Sequence, residues 1–309
     1  MTKLPIAKLE EIFGNRLQEN VSLSNYTTTR VGGPATGLLS INTIHEMELA
    51  LRTIWELDIP CFILGSGSNL LVSDSGYDGI VLHNRAHNIK LNTKVDPPLV
   101  IAESGAGLGQ LAQMASRRGV GGFEWANSIP GTVGGAVYGN AGAHGSDIAA
   151  KLQSAQVITR ENGTQRLGNQ EMNFQYRSSI FKRERIDAVI LEATFIGKPV
   201  PAEESLALLQ ELTEKRRKTQ PVGPSFGSTF KNPAGTFAGK LLEEAGMKGV
   251  SCGNASISTV HANFIVNNGG ACAQDYYCLI RQGQKRVKEQ FGVELSLEVE
   301  LLGEFQDVE

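Results

Sequence analysis

The 309-residue sequence has only four cysteines, Cys61, Cys252, Cys272 and Cys278, with no CxxC pair and no adjacent histidine. Four thiols without ligand spacing argue against a metal site and are too few to staple a chain of this length. Neither a metal nor a disulfide is expected, and the cysteines read as small buried apolar residues. An excess of one charge is also missing, since 29 Lys and Arg stand against 32 Asp and Glu, a formal net charge of −3. No overall positive field exists to hold nucleic acid or an anionic membrane, so a small-molecule partner is expected and nucleic acid is not. No apolar run approaches the ~20 residues of a membrane-spanning helix. The opening stretch MTKLPIAKLEEIF carries acidic residues where a signal peptide has its apolar segment. These absences predict a cytoplasmic chain with no membrane partner, and a monomer is the default.

With 41% hydrophobic and 20% charged residues the chain is composed like a folded protein, and its length suggests about two domains. Glycine is in excess: 35 residues, twelve of them between Gly105 and Gly145, where an average composition is about 7% glycine. That stretch uses backbone where other segments use side chains. No internal repeat or low-complexity tract is present.

Thr43 with Glu46 forms a capping box, and Ile44, Met47, Leu51, Ile54 and Trp55 keep helical spacing, so a helix is predicted over 43–58. Short apolar runs at 61–64, 70–73, 80–82 and 99–102 then read as strands, followed by a helix over 108–118 that closes at Gly119. Beyond the glycine-rich region come strands at 156–159 and 188–195 around a polar turn at 161–164. GKPVP, 197–201, with two prolines, marks the predicted domain boundary, giving 1–198 and 199–309. A helix over 202–218 with Leu206, Leu209 and Leu212 on one face follows, then a helix at 237–245, a strand at 263–266 and a helix over 273–290. In the closing segment 293–301, Val293, Leu295, Leu297, Val299 and Leu301 alternate with polar residues, which predicts one strand with a buried face.

Five stretches are candidates to carry chemistry. GSGSN, comprising Gly65, Ser66, Gly67, Ser68 and Asn69, joins two apolar runs, and such a turn can aim N–H groups and hydroxyls at a phosphate or can be a plain loop. GAGLG, 105–109, has Gln110 where a dinucleotide fingerprint needs its third glycine, so it reads as a strand-to-helix turn. SIPGTVGGAVYGNAGAHG, 128–145, has six glycines and few bulky residues, which lets backbone lie flat against a large rigid ligand such as a flavin or another nucleotide. YRSSIF, 176–181, offers Arg177 as a planar fork for a carboxylate, and GSTFKNP, 227–233, places Ser228 three residues before Lys231. Taken singly, these read equally as a surface Arg, a loop Ser and a solvated Lys, and Glu298 as a solvated carboxylate.

In order, TTTRVGGPA (27–35), LGSGSNLLV (64–72), SIPGTVGGAVYGNAGAHG, YRSSIF, GSTFKNP and LEVELLG (297–303) resemble the UDP-N-acetylenolpyruvoylglucosamine reductase (MurB) family of flavoenzymes. The resemblance runs from Thr27 to Gly303. It implies an α+β architecture: an FAD-binding domain of the PCMH/vanillyl-alcohol-oxidase type, made of two subdomains, and a C-terminal α+β substrate domain. It implies non-covalent FAD, with Gly65 to Asn69 at the pyrophosphate and Ser128, Pro130, Gly131, Thr132, Gly134, Gly135, Asn140 and Gly142 along the flavin. By the same resemblance NADPH reduces FAD, which then passes a hydride to the enolpyruvyl group of a UDP-sugar to give UDP-N-acetylmuramate for peptidoglycan. Arg177, Ser228 and Glu298 fall on the family's catalytic positions, and Tyr176, Lys231 and Asn232 on its substrate contacts.

The reaction suits those residue types. Hydride addition pushes negative charge into the substrate carboxylate, which rewards fixed positive and hydrogen-bonding groups. Arg177 suits that carboxylate, Ser228 can protonate the strongly basic carbon, and Glu298 helps when protonated or oriented by Arg177. The segment between Tyr176 and Ala188 is short, which implies the compact form of the family without its longer tyrosine-bearing loop. Two other readings compete: a different FAD oxidoreductase acting on an alcohol or sugar acid, and a nucleotide-binding regulatory protein. The first has no need of YRSSIF, GSTFKNP and the terminal glutamate together.

Overall fold

The computed structural model describes residues 4–307. Eight helices are present among them: α1 (Ile6–Phe13), α2 (Ile44–Glu56), α3 (Leu108–Arg117), α4 (Val133–Gly139), α5 (Ile180–Glu184), α6 (Ala202–Thr219), α7 (Ala238–Glu244) and α8 (Ala273–Phe291). The chain divides into two compact units. The first gathers the described residues up to Leu38, Ser66–Ile80 and those from Arg217 onward; the second comprises Leu39–Gly65 and Val81–Arg216.

The second unit is built on a five-stranded antiparallel sheet in the order 163–168, 152–159, 188–196, 99–103 and 89–92. Register puts Ala155, Ala193 and Ala102 side by side across its three central strands. Small residues there leave room for helices to approach, and α4 packs against the central strand with Val133, Ala136 and Val137 in the same core. α2 starts as predicted: the Thr43 hydroxyl accepts the Glu46 N–H at 3.1 Å. The Glu46 carboxylate reaches back to the Asn42 N–H at 2.8 Å. α3 buries Leu108, Leu111, Ala112 and Ala115 at helical spacing and stops before Gly119, whose φ is +69°.

α6 stays with this unit as far as Arg216, in the last turn of the helix. The reason is polar. The Ser205 hydroxyl bonds both Ser116 and the buried Glu124 carboxylate, at 2.8 and 2.5 Å, and Asn127 donates to Thr213 at 2.8 Å. Ser205 and Leu209 form the buried face of α6, while Leu206, expected inside, is exposed.

The first unit has a three-stranded antiparallel sheet in the order 251–252, 255–257 and 265–267, packed with α7 and α8. α8 buries Ala273, Tyr276, Leu279, Ile280, Gly283 and Val287 on one stripe. Its first N–H groups, on Ala273 and Gln274, donate to the Asp74 carboxylate at 2.8 and 2.9 Å, which suits the positive end of a helix. Two expectations are corrected here. Cys252 and Cys278 form a disulfide, with Cα atoms 6.5 Å apart; 26 residues of separation hide a pairing made only when the 251–252 strand lies on α8. The closing segment is a strand only over Glu300–Leu302, in parallel pairing with Leu70–Val72. Residues 293–299 keep Leu295 and Val299 buried but run irregularly, touching Phe230 through a single bridge at Leu297.

Candidate active site

In the second unit the glycine-rich segment is stitched to the GAGLG turn. Leu108 N–H donates to Gly131 C=O at 3.0 Å, Val133 N–H to Ala106 C=O at 2.8 Å and Gly134 N–H to Ser104 C=O at 2.8 Å. That approach explains Gly134, where a Cβ would come within 2.8 Å of Ser104 Cβ. Gly142 is required similarly, against Asp147 at 2.7 Å. Gly135 and Gly139 answer to no such crowding. A Cβ at Gly139 meets nothing within 4 Å and one at Gly135 meets only Thr132 Oγ1, at 3.7 Å. They stand one turn apart on α4, opposite the buried Val133, Ala136 and Val137, so the helix turns outward a face with no side chains. A flat aromatic ring system fits such a face.

The same segment holds the turn that carries Arg177. Gln175 and Ser178 exchange backbone hydrogen bonds at 2.9 and 3.1 Å, leaving Tyr176 and Arg177 at the tip. Arg177 takes φ +53°, a left-handed conformation costing a non-glycine residue about 1–2 kcal/mol. Its neighbours hold it there. Asn140 donates to Gln175 C=O at 3.0 Å and to Asp147 at 3.3 Å while accepting the Ala149 N–H at 2.9 Å, and Ser179 Oγ donates to Tyr138 C=O at 2.7 Å. Tyr176 is exposed, and the Arg177 guanidinium lies 5.5 Å from its ring centroid.

Burial, and then the Arg177 charge, hold the Arg216 guanidinium below its usual range. Burial, then Lys215 and Arg216, lower His144 as well. Cations gathered this way favour an anion among them. No pattern in the sequence set Arg216 apart within the basic run 215–218.

In the first unit, Ser66 to Asn69 continue the GSGSN loop. Gly67 has φ +59°, and a Cβ there would collide with the Tyr26 carbonyl; its own carbonyl accepts the Thr28 N–H at 3.1 Å. Asn69 faces the C-terminal segment, where its side chain donates to Glu298 C=O at 3.0 Å and its carbonyl accepts the Glu300 N–H at 3.0 Å.

Ser228 to Asn232 form an extended run held on two sides. On one, Ser228 bridges to Phe264 and Thr229 N–H donates to Asn263 C=O at 2.8 Å. On the other, Glu298 N–H donates to Thr229 C=O and Lys231 N–H to Ser296 C=O, both at 2.9 Å. Ser228 and Glu298 thus belong to adjoining backbone segments. A cavity of about 320 Å³ lies beside Ser228, lined also by Asn232, Phe237, Lys240, Glu243, His261 and Asn263. Asn232 Oδ1 accepts the Ala238 N–H at 3.1 Å, so its remaining group is the amide donor. His261 Nδ1 accepts the Asn263 N–H at 3.2 Å, which leaves the neutral ring's proton on Nε2. Sequence reasoning passed over HAN, 261–263, because a histidine and an asparagine entering an apolar strand resemble a loop end.

The structure therefore groups Ser66 to Asn69, Ser228, Lys231, Asn232 and Glu298 in the first unit. Gly65, Ser128 to Gly142, Tyr176 and Arg177 fall in the second.

Comparison with known proteins identifies two matching families. Residues 35–168 match the family described as FAD binding domain, and residues 218–302 match UDP-N-acetylenolpyruvoylglucosamine reductase, C-terminal domain. The UDP-N-acetylenolpyruvoylglucosamine reductase of Bacillus pumilus is 41% identical over 94% of this chain and 95% of its own length. That of Caldanaerobacter subterraneus is 40% identical over 98% and 100%. The chain belongs to the UDP-N-acetylenolpyruvoylglucosamine reductase family. The crystal structure of the enzyme of that name (MurB) from Thermus caldophilus matches with TM-score 0.79 and 35% identity, covering 93% of this chain and 99% of that one. This reductase family supplies the chemistry against which the residues above are read. Among the described residues no helix is long and apolar enough to cross a membrane.

Proposed function

We propose that the chain reduces UDP-N-acetylglucosamine-enolpyruvate to UDP-N-acetylmuramate, a peptidoglycan precursor, with FAD as bound cofactor and NADPH as reductant. The observation that carries this reading is end-to-end relatedness: 40% identity over 98% of the chain to a reductase matched along its whole length. The work takes place in the cytoplasm, on small molecules, with the chain as a monomer. Residues 1–198 carry the cofactor and 199–309 the substrate side, a division supported by family matches at 35–168 and 218–302.

Bound FAD would supply a two-electron carrier between NADPH and the enolpyruvyl double bond. Gly65 to Asn69 hold its pyrophosphate by backbone N–H groups and hydroxyls, and Ser128, Pro130, Gly131, Thr132, Gly134, Gly135 and Gly142 form the wall along the ring. Asn140, whose side-chain bonds described above are all to the protein, serves the same site by holding the Arg177 turn. The Arg177 guanidinium takes the substrate carboxylate in a two-point hydrogen bond, where charge builds as the double bond is reduced. Ser228 Oγ–H gives its proton to the carbon next to that carboxylate, and Glu298, protonated or paired with Arg177, steadies the charge. Tyr176, Lys231 and the amide donor of Asn232 bind the UDP-sugar.

The test is optical. The purified protein with FAD is yellow, NADPH under anaerobic conditions bleaches it, and the UDP-sugar restores the colour. A bleached flavin that the UDP-sugar leaves bleached, while an alcohol or sugar acid reduces the yellow form, replaces this reading with that of another FAD oxidoreductase.

A further inference from the structure

We infer that Asn69 is a positioning residue for Glu298, so that the loop assigned to the cofactor pyrophosphate also sets the carboxylate on the substrate side. The inference rests on the role proposed above for Glu298.

Three contacts carry it. The Asn69 side chain donates from Nδ2 to the Glu298 carbonyl at 3.0 Å, across 229 residues of sequence. The Asn69 carbonyl accepts the Glu300 N–H at 3.0 Å, so the two bonds bracket Val299 and fix the chain immediately after Glu298. Leu70–Val72 then pairs in parallel with Glu300–Leu302, which continues the bracket as regular strand. Upstream of Asn69 that pairing has ended, and residues 293–299 run irregularly. The Asn69 amide therefore closes the ladder one step beyond the last strand residue, at the residue whose carboxylate must be aimed.

Asn69 itself is exposed, and an exposed hydrogen bond adds little stability. Its value is geometric: a backbone held at Glu298 on one side by Thr229 and on the other by Asn69 leaves the side chain few directions. A carboxylate displaced by about 1 Å loses much of its effect on a developing charge.

The experiment uses the holoenzyme with Asn69→Ala and, to separate the lost donor from lost volume, Asn69→Leu. Flavin content and visible spectrum are recorded, then each half-reaction is followed by rapid mixing. Because Asn69 also belongs to the cofactor loop, both rates are read at saturating FAD, and the rate of reduction by NADPH serves as each variant's own reference. Reoxidation by the enolpyruvyl substrate should be about tenfold slower in kcat with little change in KM, a pattern that general loosening does not produce. In an Glu298→Ala background, Asn69→Ala should add less than about twofold, because the group it aims is gone. Equal slowing of both half-reactions at saturating FAD, or a further tenfold loss in the Glu298→Ala background, would overturn the inference. A slow Glu298→Ala with a full-speed Asn69→Ala overturns it alone. A full-speed Glu298→Ala overturns the role of Glu298 as well.

Discussion

Asn263 places both atoms of its side-chain amide on one residue, Phe230: Oδ1 accepts the Phe230 N–H at 2.9 Å and Nδ2 donates to the Phe230 carbonyl at 2.8 Å. The side chain thereby imitates a paired strand where the Ser228 run has no continuous ladder. Both residues are buried, Asn263 at 3% and Phe230 at 2% exposure, so water cannot replace either bond. Asn263→Leu keeps the volume and strands two backbone groups, an expected cost of about 2–4 kcal/mol. Urea unfolding measures it. A loss below about 1 kcal/mol would mean that the clamp is not what fixes this run.

Ser228→Ala separates the two halves of the cycle. The hydroxyl acts only on substrate carbon, so NADPH should bleach the flavin at the parent rate while reoxidation by the enolpyruvyl substrate falls by about 10³-fold or more, the upper range for a lost general acid. Rapid-mixing absorbance resolves the two phases. Equal losses in both would remove Ser228 from the proton-delivery step.

Arg177→Lys keeps a positive charge and removes the planar fork. Turnover should fall at least tenfold through the second half-reaction, with flavin content unchanged, since Asn140 and Ser179 bond the turn that holds residue 177. Steady-state turnover equal to the parent is the result that rejects the carboxylate-binding role.

The glycines of α4 allow a sharper test because two neighbours have opposite surroundings. Gly135→Ala places a methyl in ordinary contact, 3.7 Å from the nearest atom, on a helix interior where alanine is favoured by about 0.5–1 kcal/mol. Gly134→Ala drives its methyl to 2.8 Å from Ser104 Cβ. The FAD-free Gly135→Ala protein should therefore melt higher than the parent and bind FAD more weakly, whereas Gly134→Ala should melt lower. Titration of apoprotein with FAD and thermal unfolding supply the two readouts. Undiminished FAD affinity in Gly135→Ala would show that the glycine face is not the cofactor wall.

The regular elements were readable in the sequence wherever a cap and an apolar period coincide. α2 opens at Thr43 as its capping box requires, and α3 and α7 stop before Gly119 and Gly246, both at positive φ. The family motifs were readable too, and in the run 128–145 two of the six glycines, Gly134 and Gly142, also serve close packing against Ser104 and Asp147. What stayed hidden depends on partners distant in the chain. Residues 293–299 alternate like a strand, yet only 300–302 find a ladder, since the neighbouring run ends at Leu70. The bond from Asn69 to the Glu298 carbonyl, 229 residues away, has no signature in the GSGSN motif. The bond from Asn140 to the Gln175 carbonyl likewise depends on a partner that the glycine-rich motif does not contain. The disulfide and the Ser205 bond to Glu124 belong to the same class, being invisible until two elements meet.

His261 gives the first unit a built-in acid sensitivity. Its pKa lies below the usual 6.5, chiefly because burial disfavours the charged ring; Lys248 adds to the lowering, while its own backbone hydrogen bond and Glu243 oppose it. Protonating Nδ1 also costs the bond it accepts from the Asn263 N–H. The folded pKa is the lower one, so the unfolded chain binds a proton first as pH drops below about 6.5. Stability from this group is thus fully present above that pH and declines from there down to the folded value, with a slope of at most about 1.4 kcal/mol per pH unit. His261→Gln removes the titration while keeping a hydrogen-bonding side chain. Urea unfolding from pH 7.5 to 5 should show a steeper fall in the parent than in the variant, and because the clamp on Phe230 shares Asn263, the difference should shrink in Asn263→Leu. Parallel stability curves for parent and variant across that range would mean that the ring takes up its proton without disturbing the fold.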